Sequence, residues 1–156
     1  MVAQQKRSLQ PQAGKSYPIG ATVMPDGVNF SVSSRSATGM DLLLFDDVDA
    51  ATPARTIALD PARNRTYSYW HVFVPGLRSG QLYGFRAHGP YEPLLGMRFD
   101  AQKVLLDPYG RGVAVPRLYS RKAASEPGDN TPQAMKSGGR CQQVQLGRRR
   151  AAAPAI

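Results

Sequence analysis

Apolar side chains in this chain come in short alternating runs, broken by Gly or Pro at intervals of about a dozen residues, and that spacing favours a β-sandwich. Pro25-Asp26-Gly27 is a turn signal, and after it Val28, Phe30 and Val32 alternate with Asn29, Ser31 and Ser33, so the three apolar side chains share one face. Met40 to Phe45 is apolar at nearly every position, the pattern of a strand covered on both faces. Ile57 and Leu59 alternate with Ala58 and Asp60. Trp70, Val72 and Val74 alternate with Tyr69, His71 and Phe73, and Gln81 to Ala87 is expected to run back as the partner of that strand after Pro75–Gly80. No 3.6-residue period is sustained and no internal repeat is visible; Asp100 to Val104 is the one candidate helical turn, with Asp100 as its cap. The expected fold is all-β, a sandwich with disordered N- and C-terminal tails.

Length and charge set the outer bounds. The 156 residues suit one domain plus tails. The formal net charge of +9 is unevenly distributed: residues 1–137 hold 16 basic and 11 acidic side chains, whereas residues 138–156 hold four arginines and no acid. The basic side chains of the body are scattered, without interleaved aromatics, so nucleic acid is not an expected partner; a basic nucleic-acid-binding protein using the arginine tail is the rival from another class. The single cysteine, Cys141, excludes an internal disulfide and a cysteine-based zinc site. No apolar run follows the charged start and none reaches the roughly 20 residues of a membrane span. The expectation is a soluble, cytoplasmic protein with no membrane partner.

The stretch Tyr83 to Gly110, YGFRAHGPYEPLLGMRFDAQKVLLDPYG, is irregular yet rich in apolar side chains. Pro90 lacks a backbone donor, and Glu92-Pro93 and Leu95-Gly96 prolong the break, so a loop carrying Tyr91, Leu94, Leu95, Met97 and Phe99 must pack on its own or a neighbouring domain. Leu105 to Gly110 reads as a buried segment closed by a turn in which Asp107 bonds its own backbone.

This stretch closely resembles the junction between the N-terminal β-domain and the catalytic barrel in bacterial glycogen-debranching enzymes of the isoamylase type, in glycoside hydrolase family 13. Pro18-Ile19-Gly20-Ala21-Thr22, Gly27 to Val32, Leu43 to Asp46, Trp70-His71 and Val74 to Leu77 follow the same family in order, over about Tyr17 to Ser137. The resemblance implies an immunoglobulin-like sandwich of the carbohydrate-binding kind. It implies residues 1–16 as a lead-in, 17–116 as the domain with a docking loop at 88–110, and 117–137 as a linker toward a catalytic barrel absent from this chain. Met135-Lys136-Ser137 resembles the opening of that barrel, after which the family pattern stops. The peptide GGRCQQVQLGRRR can be encoded so that removing one base before it gives VVVVNKYNWEGD, similar to the family's continuation; residues 138–156 are therefore expected to be an out-of-frame tail.

Hydrolysis of an α-1,6 linkage requires two positioned carboxyl groups, which the resembled enzymes supply from the barrel. No catalytic residue is expected here. Asp41, Asp46, Asp47, Asp49 and Asp60 lack the spacing of a calcium loop and read as solvated turn acids. His71 and His88 lack a third ligand or a nucleophile, so structural roles are expected, with no metal and no cofactor. Sugar binding is the remaining chemistry. Tyr67, Tyr69 and Trp70 have flat rings suited to the apolar face of glucose, although Trp70 shares its face with Val72 and Val74 and suits the core. Tyr91, Leu94, Leu95, Met97 and Phe99 are the candidate interdomain docking residues. The expected function is the N-terminal domain of a glycogen-debranching enzyme, truncated before its barrel, docking on that barrel and binding α-glucan. A free-standing glucan-binding module is the alternative.

Overall fold

The computed structural model describes residues 10–138. Residues 1–9 of the expected lead-in, and the expected out-of-frame tail from residue 139 onward with Cys141 and its arginines, lie outside the described residues. Eleven strands run in order: β1 (Gly20–Met24), β2 (Gly27–Ser33), β3 (Gly39–Phe45), β4 (Arg55–Leu59), β5 (Arg65–Thr66), β6 (Tyr69–Pro75), β7 (Leu82–His88), β8 (Tyr91–Glu92), β9 (Met97–Arg98), β10 (Val113–Ala114) and β11 (Lys136–Ser137). They form a four-stranded sheet, β1-β2-β6-β5, facing a five-stranded sheet, β10-β11-β7-β3-β4, with the β8-β9 ribbon apart. Every pairing is antiparallel, which allows one face of each sheet to meet the core while the other is covered or wet.

The alternations account for the core. Val28, Phe30 and Val32 from β2 and Trp70, Val72 and Val74 from β6 meet Met40, Leu42, Leu44, Ile57, Leu59, Tyr83 and Phe85 from the other sheet. Phe30 and Tyr83 join the layers edge to face, with ring centroids 4.8 Å apart. The apolar run of β3 also has its predicted second cover. Leu43 and Phe45 point away from the main core and are buried under Val104 and Ala134. Gly84 lets that cover approach: a Cβ there would stand 2.8 Å from Val104 Cγ1, and without one the 104–106 segment crosses β7 with a bridge from Phe85 to Leu105.

Four expectations change. β7 does not pair with β6: the connection after Pro75 crosses to the other sheet, where β7 lies between β11 and β3. Residues 10–16 are bound to the outer face of the first sheet rather than unfolded. Gln12 bridges Phe73, Lys15 exchanges two hydrogen bonds with the Asn29 amide, and the Ser31 hydroxyl donates to the Ser16 carbonyl at 2.7 Å. These contacts explain why polar Asn29, Ser31 and His71 are buried on the face that alternation assigns to water.

Residues 117–137 are likewise part of the folded unit and not a linker. Lys103 Nζ donates to the carbonyls of Ala123, Gly128 and Glu126, pinning this segment. β11 is inserted between β10 and β7, and Thr131, Lys136 and Ser137 have no exposed surface. A sequence of isolated charges and small residues hides this, because its burial depends on cage-like contacts and not on apolar periodicity. Asp100, finally, does not cap a helix: its carboxylate accepts from Gln102 N in a turn closed by Lys103 N onto Asp100 O.

Candidate functional site

Two surfaces carry the residues singled out by sequence, and they lie on different elements. One is the β5-β6 hairpin. Thr66 and Tyr69 are paired across a two-residue turn, Tyr67-Ser68. The Tyr67 ring is 91% exposed and its backbone is left-handed, at φ 55°. Tyr69 is half-buried. Trp70 is not available to a ligand. It has no exposed surface, its indole N–H donates to Ser34 O at 3.3 Å, and the Arg65 guanidinium covers its ring at 5.0 Å. An inward position between Val32 and Val72 decides this, so Trp70 is a core residue and not a sugar platform.

The hairpin is held from beneath. Arg65 donates to the carbonyls of Tyr67 (2.8 Å), Arg35 (3.0 Å) and Ala37 (3.2 Å), using the rigid fork of its guanidinium. His71 Nδ1 faces Ala13 O at 2.6 Å, so it carries the proton and donates, leaving Nε2 to accept from the Thr66 hydroxyl at 2.8 Å. The structural role expected for His71 is thereby identified: it ties the 10–16 segment and the hairpin to β6.

The other surface is the β8-β9 ribbon with its Pro93–Leu95 3₁₀ turn. Tyr91 and Leu95 are largely exposed and Leu94 is 100% exposed, while Met97 is half-buried. Phe99 behaves differently. It packs against the main core and over Gly89, where a Cβ would stand 2.6 Å from its ring. Phe99 therefore fastens the ribbon to its own domain and is not free for docking. Beside the ribbon opens a hollow of about 1,100 Å³ lined by Tyr91, Arg98, Phe99, Leu105, Leu106 and Pro108, among others. Exposed Tyr109, Val113, Val115 and Leu118 were not among the sequence candidates. The apolar run GVAVPRLYS was the available signal for the last three.

The titratable groups are occupied structurally. Asp41 lies on β3, not in a turn, and its carboxylate is 2.7 Å from His88 Nε2. Asp49 accepts from the Arg117 backbone and guanidinium, and these hydrogen bonds hold its carboxyl below the ordinary range. Burial pushes the Lys136 ammonium down from its ordinary value, partly offset by Asp49 and Asp47; it donates to Thr131 O at 2.8 Å and lies 5.1 Å from the Phe45 ring. Among the described residues, no cluster of three or more His, Cys, Asp or Glu could hold a metal ion. No helix among them is long and apolar enough to cross a membrane.

Comparison with known proteins converges on this arrangement. Residues 18–110 match the family carbohydrate-binding module 48 (isoamylase N-terminal domain). The chain is 43% identical over 103 residues to "Isoamylase 1, chloroplastic" of Oryza sativa subsp. japonica, covering 65% of this chain and 13% of the rice protein. It is 42% identical over 134 residues to "Glycogen debranching enzyme" of Cronobacter sakazakii, covering 83% of this chain and 19% of that protein. This chain thus spans less than a fifth of the length of these relatives. Among solved structures, a multi-modular glycogen-degrading pneumococcal virulence factor, SpuA, superposes with a TM-score of 0.55 at 16% identity, over 89% of this chain and 13% of that one. At that identity the likeness concerns the fold.

Proposed function

The chain belongs to the carbohydrate-binding module 48 family, the isoamylase N-terminal domain, and from that premise we propose that it serves a glycogen-debranching enzyme as its non-catalytic, glucan-holding and docking module. The relatives named as isoamylase and glycogen debranching enzyme are several times longer. The remainder of such a protein would supply the catalytic barrel and its two carboxylates, hydrolysing α-1,6 branch linkages of glycogen. This module alone would release no sugar. A cytoplasmic location is part of this proposal, supported by glycogen as the substrate class.

The observation that carries the docking role is the β8-β9 ribbon. The sandwich has a complete core of its own, yet it projects Tyr91, Leu94 and Leu95 into solvent on a turn that Phe99 anchors from below. Exposed apolar side chains on a fixed element are what a partner domain requires for contact, and their free energy is recovered only when something covers them.

Glycogen co-sedimentation of the 156-residue chain, together with its titration against the separately produced catalytic domain of the Cronobacter relative, tests both halves. Retention on glycogen and saturable association with the barrel support the reading. Failure of both, or release of reducing ends from branched glucan by this chain alone, ends it.

A further inference from the structure

Resting on the glucan-holding half of that reading, we infer that the corner of the four-stranded sheet bearing Tyr67 and Tyr69 is an α-glucan contact, with the Tyr67 ring as its stacking platform. Three independent features meet there.

The first is backbone conformation. A left-handed residue is inexpensive as Gly, Asn or Asp and unfavourable as a bulky aromatic. Tyr67 is the one non-glycine residue with positive φ among the described residues, and its ring touches almost nothing in its own domain. The side chain gains nothing inside the domain; only the backbone carbonyl of Tyr67 is held, by Arg65. Strain maintained at an exposed aromatic points to a use outside the fold.

The second is rigidity. Arg65 fixes the Tyr67 carbonyl and both neighbouring loop carbonyls, Ser34 N donates to Ser68 O at 2.8 Å, and the Thr66 hydroxyl is engaged by His71. The ring is presented by a preorganised turn, which lowers the ordering cost of binding.

The third is the chemistry of the neighbours. Tyr69 is paired with Ser33, which is exposed. The Arg65 guanidinium beneath is taken up by the carbonyls of Tyr67, Arg35 and Ala37. The corner therefore presents flat phenol rings beside a serine, with that charge already engaged. That combination suits a neutral polyol with apolar ring faces, and gives little to an anion or cation.

The test uses the 156-residue chain, with maltoheptaose as the probe by calorimetric or chemical-shift titration, alongside thermal melts. Tyr67→Gly should raise Tm by about 2–4 °C by relieving the turn, yet weaken maltoheptaose binding about tenfold. Tyr67→Trp should retain the affinity, and Tyr69→Ala should weaken it by a smaller factor. A variant that is more stable and binds less well cannot be explained by misfolding. If the parent chain binds maltoheptaose and Tyr67→Gly binds equally well, the assignment of the corner is overturned while glucan binding stands. If the parent does not bind, both the corner and the glucan-holding reading are overturned, and docking is judged separately by the barrel titration.

Discussion

The Tyr83 phenol donates a 2.7 Å hydrogen bond to Asp107 Oδ2, and through it the core strand β7 is joined to the segment that covers the outer side of its sheet. Asp107 Oδ1 accepts from Tyr109 N, and Asp107 N donates to the Ser137 hydroxyl. The carboxylate is buried and each of its oxygens is in use. Tyr83→Phe removes one donor and leaves a buried carboxylate oxygen short of a partner, so a loss of roughly 1.5–3 kcal/mol is expected in urea unfolding.

The same bond has a pH signature. Burial pushes the Tyr83 phenol well above its ordinary value of 10.0, and the hydrogen bond and charge of Asp107 reinforce the shift. Above pH 10 the unfolded chain releases this proton and the folded chain keeps it, so unfolding is favoured as pH rises. The stabilisation is complete below about pH 10 and declines above it. Tyr83→Phe should show a flatter decline of Tm between pH 9 and 11 than the parent; parallel curves would rule out this proton as the source.

Lys136 makes the opposite contribution. Its ammonium is lowered by burial, so the unfolded chain binds the proton more tightly and this term becomes more favourable to folding as pH rises toward 10.5. Its stem fills space against Phe45. Lys136→Ala should therefore cost about 2–4 kcal/mol through the cavity, whereas Lys136→Met, which keeps the stem and removes the desolvated charge, should stay within about 1 kcal/mol. Equal losses in chemical unfolding would show that the charge, not the volume, is what the site needs.

A chain ending at Pro116 should lose cooperative unfolding, whereas one ending at Gly138 should keep it. Removing residues 117–138 takes β11 from between its neighbours, uncovers Leu43 and Phe45 where Ala134 lay, and strips three carbonyls from buried Lys103. Each loss strikes a buried group. Calorimetry of the two chains decides it; a sharp transition in the shorter one would return 117–137 to the status of a linker.

The sequence legibly specified what periodicity specifies. Val28/Phe30/Val32, Trp70/Val72/Val74 and the two-sided run of β3 all occupy the faces their patterns assign, because a strand's side chains alternate regardless of neighbours. Trp70 illustrates the limit for the site: its chemistry suggested a ligand platform, and its register, which placed it in the core, was the stronger signal. The segments 10–16 and 117–137 are not legible in this way, because they are held by backbone carbonyls, an Asn amide and two lysines, none of which leaves a periodic mark. Phe99 reads as equivalent to Leu94 for the same reason: only the three-dimensional position of Gly89 distinguishes a ring packed on the core from an exposed side chain.

That distinction yields the clearest test of the docking ribbon. Leu94 is fully exposed, so Leu94→Asp should change stability by no more than about 0.5 kcal/mol. Phe99→Ala should cost about 1–3 kcal/mol, because the half-buried ring packs against the core. In the barrel titration, Leu94→Asp, combined with Leu95→Asp, should weaken association at least tenfold while Tm stays unchanged. With little contact to lose inside the domain and an unchanged Tm, that weakening would have to arise at the interface. Unchanged association would mean that the barrel seats elsewhere, and the exposed Val113, Val115 and Leu118 would be the next residues to charge.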